Sequence, residues 1–423
     1  MLELLKGVIV TALRLGALEV VEPGYIALNN GVAEGVFEEA SLPARYALAD
    51  VADFGRALII PSFGDMHLHA PQYAMLGMGM DLPLIDWLNH YTFETEAMFS
   101  DPGFAREVYG CLAQELIRLG TTRVCMFATV HRESTLILME ELEKAGVTGY
   151  VGKVNMDRNT TPALTETTGG SLLETRRFLE DCRGRFSRLF PMLTPRFTPS
   201  CTDELMAGLG ALAEEYGVPV QSHLSENDVE IAWVKELCPD CPQYWDTYAK
   251  AGLWRERTVM AHCVHSDARE RAAIKSAGVW VAHCPDSNTN IYSGIAPLRV
   301  MLNEGINVAL GSDIAGGAKL SMAHAVASAI RASKLRYYYS GKTEENRFLT
   351  VMEGFYLATT APRRYFGAAS SFAPGEELHA VVLDDAVLPP SRPVNAAERL
   401  ERLLYADDPR AVKAVWSAGV RRF

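Results

Sequence analysis

The chain has 423 residues, 48% of them hydrophobic and 22% charged, which excludes a disordered or fibrous protein and allows a large core. The 40 Lys and Arg against 52 Asp and Glu leave a formal charge of −12, so duplex nucleic acid and anionic membranes, which recruit a positive face, are disfavoured as partners. Its 8 cysteines are too few for a disulfide scaffold and read as reduced thiols; with no cleaved-signal pattern and no run of roughly eighteen apolar residues, the expected setting is the cytoplasm.

In chain order, residues 1–58 carry short strand candidates such as Leu5 to Ala12 and Tyr25 to Leu28. A repeated order follows, in which a short apolar run leads through a polar turn into a longer amphipathic segment. The apolar runs are Ala57 to Ile60, Arg123 to Phe127, Tyr150 to Val154, Leu189 to Leu193, Val218 to Ser222, Thr258 to Ala261, Gly278 to Ala282 and Ile306 to Leu310. Helix-like stretches between them include Phe104 to Leu119, Leu136 to Ala145, Leu172 to Cys182, Asp203 to Tyr216 and Ala268 to Ala277. In the fourth of these, Leu205, Leu209, Leu212 and Ala213 recur at helical spacing as one apolar stripe.

Near-continuous apolar runs are what strands buried on both faces require. Eight such strands, each followed by a helix, predict an α/β chain with a (β/α)8 TIM-like barrel over residues 59–365. A doubly wound sheet is the rival architecture, but no Gly-x-Gly-x-x-Gly follows an early strand. Residues 320–360 read as helices, and His379 to Leu383 and Val412 to Val420 as strands. Neither end is large enough for its own core, so residues 1–58 and 366–423 are expected to pair into one small β-sandwich domain.

Polar residues gather just beyond the strand ends, where a barrel keeps its chemistry. His67 and His69 follow the first run; residues i and i+2 of an extended chain point the same way, so both imidazoles can reach one ion. An HxH pair alone is a weak signal. Here His223 follows the fifth run, His262 the sixth, His283 the seventh and Asp313 the eighth, which puts five of the 10 histidines at strand ends. A carboxylate with three imidazoles suits Zn²⁺, with Fe²⁺ as the alternative, and an open position on such an ion acidifies water. His262 fits either the ligand shell or a hydrogen bond to that water.

Glu226, three residues after His223, fits a proton carrier at the mouth of the next helix, or an ordinary N-terminal Glu favoured by the helix dipole. Arg196 and Phe197 offer a rigid donor fork and a flat apolar face, and with Gln72 they suit a planar, polar-edged ligand. Asp81 to Leu88 and Tyr91 to Phe93 make a long apolar loop after the first run, either a lid or an oligomer contact. Cys238-Pro239-Asp240-Cys241 is a single CxxC pair, too little for a tetrahedral site. Lys153 offers a bridge for a second ion, which one HxH pair and one Asp do not require.

Pro61 to Tyr73, Asp81 to Leu84 with Trp87-Leu88, Tyr91 to Phe93, Gln221 to Asn227, Met260 to Cys263, Ala282 to Pro285 and Gly311 to Gly317 resemble, in that order, the signatures of guanine deaminases of the amidohydrolase superfamily. The Ala70-Pro71-Gln72 and Pro195-Arg196-Phe197 pieces narrow the resemblance to that branch. It implies one zinc ion per chain held by His67, His69, His223 and Asp313, with His262 orienting the attacking water. It also implies that Glu226, His262 and Asp313 carry the catalysis, that Gln72, Arg196 and Phe197 grip a purine base, and that the chain works as a homodimer. Two other readings remain: a same-fold zinc aminohydrolase acting on 8-oxoguanine, a pterin, a pyrimidine or an s-triazine, and a non-catalytic metal-binding scaffold. One departure is Asp286, where relatives often carry Asn.

Overall fold

The computed structural model describes residues 1–368 and 371–423. In chain order its strands begin with β1 (Leu2–Arg14), β2 (Ala17–Asn29), β3 (Val32–Glu38) and β4 (Asp50–Pro61). Then come β5 (Phe63–His69), β6 (Thr121–Phe127), β7 (Thr148–Gly152) with its short continuation β8 (Val154–Asn155), and β9 (Leu189–Pro191) with its continuation β10 (Thr194–Pro195). They are followed by β11 (Gln221–Leu224), β12 (Val259–His262), β13 (Trp280–His283) and β14 (Asn307–Leu310). The last three are β15 (Ala380–Leu383), β16 (Val412–Ser417) and β17 (Val420–Arg421).

The parallel strands β5 to β14 form the barrel. Continuous hydrogen-bond ladders join β5-β6-β7-β9 and β11-β12-β13-β14. Isolated hydrogen bonds close the two seams between these ladders. Leu193 N–H donates to Pro219 C=O (3.0 Å) and Gln221 N–H to Leu193 C=O (2.9 Å) on one side. On the other, Asp313 N–H donates to His67 C=O (2.8 Å) and His69 N–H to Ile314 C=O (3.3 Å). Every residue of β5, β6, β11, β12 and β13 is buried, as strands covered on both faces must be. Helices Pro102–Arg118, Arg132–Ala145, Thr168–Asp181, Asp203–Tyr216 and Ala268–Ser276 lie within a residue or a few of the expected stretches. The apolar stripe of Asp203–Tyr216 is buried. Thr202 caps its start, accepting from Leu205 N–H, and Gly217 ends it at φ 63°, a left-handed position that glycine takes at little cost.

The terminal strands form one seven-stranded mixed sheet in the order β17-β16-β15-β4-β1-β2-β3. This is the form the expected terminal sandwich takes: one sheet whose parts share a core of Leu5, Ile9, Ile26, Leu28, Ile59, Val382 and Trp416. Its other face, with Val8, Val10, Leu58, Ile60, Val381 and Val415, joins the barrel's core.

That two-sided burial explains one correction. The run Ala57 to Ile60 is not a barrel strand; it lies in β4 and pairs with β15 and β1. Being apolar on both faces, it carries the pattern of a parallel barrel strand. The barrel's first strand is β5, whose sequence Phe63-Gly64-Asp65-Met66-His67-Leu68-His69 hides polar groups in a fully buried segment. No helix among the described residues is long and apolar enough to cross a membrane.

Candidate active site

His67 and His69 stand on β5, His223 on β11 and His262 ends β12, while Asp313 follows β14. All five side chains are buried, and their polar atoms converge at one end of the barrel. His67 Nε2 lies 3.2 Å and His69 Nε2 3.7 Å from Asp313 Oδ1, and His69 Nε2 lies 3.1 Å from His223 Nε2. His223 Nδ1–H donates to the Arg196 carbonyl (2.5 Å), which fixes the ring so that Nε2 faces its partners.

Burial pushes the His67, His69 and His223 imidazoles below their ordinary pKa, the last two strongly, so they sit in the neutral form that ligates metal. Asp313 is held well below the usual carboxylate range, because the surrounding imidazoles outweigh the burial that would raise it. His67 Nε2 is buried and, apart from its 3.2 Å approach to Asp313 Oδ1, meets no hydrogen-bond partner. Two ligand nitrogens on one four-coordinate ion at about 2.0–2.1 Å stand about 3.3 Å apart, and the 3.1 Å between His69 and His223 has that size. The donor set therefore fits one divalent cation. A second trio, His67, His262 and Cys284, also brings donor atoms within 4.8 Å, but burial pushes the Cys284 thiol far up, and a thiol that resists ionisation is a poor ligand.

Asp313 divides its two oxygens. Oδ1 faces His67 and His69, and Oδ2 lies 3.8 Å from His262 Nε2. His262 Nδ1 pairs with Asn288 Oδ1 (2.8 Å), and Nε2 lies 3.5 Å from Glu226 Oε2. Glu226 Oε1 accepts from the Ser293 hydroxyl (3.1 Å). Burial, then the charge of Asp313, pushes Glu226 up to about 8, so near neutrality it can hold a proton to give. It stands just outside helix Asp228–Leu237, whose N-cap is Asn227. Its backbone N–H donates instead to Glu230 Oε2 (2.9 Å).

Beside this cluster a cavity is lined by His69, Gln72, Leu84, Trp87, Leu88, Arg196, Phe197, His223, Glu226, His262, Ile291 and Asp313. Leu84, Trp87 and Leu88 belong to the long loop after β5, and Leu84 N–H donates to Ile291 C=O (3.1 Å), tying that loop over the mouth. Gln72, Arg196 and Phe197 form one wall. Every site residue read from the sequence thus meets here, with His67 beneath the cavity rather than in its lining.

Several partners escape the sequence reading. Glu96 accepts from both Gln72 and Arg196, Asn288 holds His262, and Ser293 holds Glu226. Asp65 accepts from Ser312 N–H (2.9 Å) and the Ser312 hydroxyl (2.5 Å), stapling β5 to the segment that carries Asp313. A buried arginine demands an acceptor, and that is the available signal for Glu96. Other singled-out residues lie elsewhere. Asp286 faces Ala318 N–H (2.7 Å) and His324 (3.2 Å), away from the cavity lining. Lys153 pairs with Glu166 (2.7 Å). Cys238 and Cys241 are free thiols.

A (β/α)8 barrel with an HxH pair on its first strand, further histidines on its fifth and sixth and a carboxylate after its eighth defines a metal-dependent hydrolase. The chain belongs to the amidohydrolase family, which matches residues 58–422. Its relatives narrow this further. It is 34% identical over 441 residues to a guanine deaminase of Dictyostelium discoideum, covering 99% of this chain and 97% of that protein. The crystal structure of a guanine deaminase from C. acetobutylicum with bound guanine in the active site superposes with a TM-score of 0.96 at 42% identity, covering 100% of both chains. An E. coli guanine deaminase superposes with a TM-score of 0.90 at 30% identity, covering 100% of this chain and 99% of that one.

Proposed function

We propose that this chain is a guanine deaminase, converting guanine and water to xanthine and ammonia. The observation that carries the reading is the joining of two half-sites in one cavity: a wall of Gln72, Arg196 and Phe197 suited to a flat base, and Glu226, His262 and Asp313 beside the candidate ligands. The likeness to a guanine deaminase solved with guanine in its active site supports the choice of base.

In this reading the ion is zinc, one per chain, held by His67, His69, His223 and Asp313. When bound, it supplies a Lewis-acidic centre that lowers the pKa of water to about 7. The chain's own groups then act as follows. Arg196 directs its donors at the carbonyl edge of the base, Gln72 reads an adjoining edge, and Phe197 flanks the ring. His262, turned by Asn288, holds the attacking water between Glu226 and Asp313. As water adds to C2, Asp313 takes its proton and Glu226 gives one to N3, so the ring nitrogen does not accumulate charge. On collapse the C2–N bond breaks. Glu226, now ionised, carries the proton of the C2 hydroxyl to the departing amino group, and Asp313 returns its proton to Glu226. The product keeps the proton on N3.

The test is ammonia release from guanine by the metal-loaded chain, before and after chelation and after zinc is restored. Release that chelation stops and zinc restores is the expected result. No release from guanine by folded, zinc-loaded protein would remove the reading, and an ultraviolet scan of pterins, pyrimidines and s-triazines would then show which heterocycle takes its place.

A further inference from the structure

Glu96 sits in the short helix Phe93–Ala97, part of the loop that follows β5. It is 1% exposed and lies behind the cavity rather than in its lining. Its two oxygens hold the two polar residues of the base-reading wall: Oε1 accepts from Gln72 Nε2 at 3.1 Å and Oε2 from Arg196 Nη1 at 2.6 Å. Phe93, three residues earlier, places its ring 5.3 Å from the same guanidinium.

We propose that Glu96 is the positioning residue that sets both the hydrogen-bond pattern and the charge of this wall, so that the pocket admits a neutral heterocycle and discriminates against an anionic one. The proposal deepens the functional reading above and rests on its assignment of Gln72 and Arg196 to the base.

An ionised carboxylate only accepts hydrogen bonds. Gln72 must therefore turn its amide nitrogen toward Glu96, and its Oε1 then receives Ala315 N–H (3.3 Å). What remains for a ligand is one N–H and one lone pair, in a fixed order. With a neutral amide at position 96 one of the two acceptors becomes a donor, and the Gln72 order is then held by Ala315 N–H alone. Arg196 spends one N–H on Glu96 and keeps the rest of its fork for a carbonyl oxygen.

The charge argument is separate. The side chains of Arg196 and Glu96 are 3% and 2% exposed, so water does little to screen either. An unpaired guanidinium at that depth would recruit an anion. Paired at 2.6 Å, it offers donors with little net charge, while the Asp313 carboxylate, which lines the same cavity, disfavours a second negative ligand.

The experiment compares the metal-loaded full chain with its Glu96→Gln, Glu96→Asp and Glu96→Gln/Arg196→Gln forms. Each is assayed for guanine turnover and for competition by urate, an oxopurine anion near neutral pH, and by hypoxanthine, which is neutral. In Glu96→Gln the guanine KM is expected to rise about tenfold or more while kcat changes about threefold or less. Urate inhibition should strengthen about tenfold relative to hypoxanthine. Glu96→Asp, which keeps the charge, should retain the discrimination against urate, and the double variant, which has no free cation, should lose the gain. Equal shifts for urate and hypoxanthine in Glu96→Gln, or a urate gain that survives in the double variant, would overturn the proposal. Should the wild-type chain leave guanine untouched, the functional reading fails, and calorimetric binding of urate against hypoxanthine still decides the role of Glu96.

Discussion

The mouth of the barrel and the terminal sheet are buried to a similar degree and are built in opposite ways. In the sheet, burial is spent on apolar side chains: Ile9, Ile26, Leu28, Ile59 and Val382 are each 2% exposed or less. Among the described residues no side chain of β1–β4 or β15–β17 leaves an orphaned buried polar atom. At the mouth, His69 Nδ1, His283 Nδ1, Ser287 Oγ and Asn288 Nδ2 are buried without partners. The backbone differs in the same sense. Glycines aside, the sheet's turns hold only Asn30 at φ 50°, a conformation Asn tolerates, and Ala418 at φ 52°. The mouth holds Ser225, His262, Cys263, Tyr292 and Asp313 at φ between 47° and 71°, and for Cys and Tyr that is costly. One region lowers the free energy of the folded chain; the other keeps polar groups unpaired around the candidate ligands and the cavity.

Substitutions at the mouth should therefore cost activity far more than stability, and the largest effect belongs to the ligands. His223→Ala is expected to lower both bound metal and turnover, the latter by about 10³-fold or more, because the Lewis acid goes with the ligand. Metal analysis beside the rate assay checks this, and full metal content with wild-type turnover would break the contrast. Glu226→Gln should cost about 10²–10⁴ in kcat, the range for a positioned proton carrier. Metal content and base affinity should stay near wild type, since the amide keeps the shape and Glu226 is not among the candidate ligands.

The sheet should show the reverse. Ile59 is 0% exposed and lies in the small terminal core, and Ile59→Ala removes its methyl and methylene groups from a close-packed site. The expected loss is about 2–5 kcal/mol of stability, read by denaturant unfolding, with kcat per folded molecule unchanged. A kcat that falls with the Ile59 substitution would show that the two regions are coupled.

The mouth is more legible in the sequence than the sheet, and the reasons are physical. His223 and His262 end apolar runs and Asp313 follows one, at the end where a barrel's chemistry lies, so each marks itself and its strand; His67 and His69 mark themselves by their spacing but not β5, whose buried polar groups hide it. Ala57 to Ile60 marks nothing, since a strand covered on both faces reads alike in a barrel or in β4. Glu96 pairs with Arg196 across 100 residues, and no local pattern reports such a partner. Helix Ala396–Ala406 is a different matter. Its signals, the Asn395–Glu398 capping box and the stripe of Ala396, Leu400, Leu403 and Leu404 at helical spacing, both stand in the sequence beside the tail's strand candidates.

The smallest expected effect separates the regions by pH. Glu270, buried against the hydroxyls of Ser225 and Ser266 beside the segment that carries Glu226, is pushed by that burial from 4.5 up to about 7. A carboxyl with a raised folded pKa binds its proton more tightly in the folded chain. Its contribution to stability is complete below about pH 4.5 and is lost as pH rises through about 7, a change of at most about 3 kcal/mol. His379, at the start of β15, behaves oppositely: burial first, then Arg123, Arg363 and Arg188, hold it well below 6.5. Its contribution is present above about pH 6.5 and is lost as pH falls below that value. Thermal unfolding of wild type, Glu270→Gln and His379→Gln from pH 5 to pH 8 checks both signs. Relative to Glu270→Gln, the wild type should lose stability as pH rises; relative to His379→Gln, it should gain. Parallel curves in the first comparison would place Glu270 in contact with water and remove one of the buried charges that distinguish the mouth from the sheet.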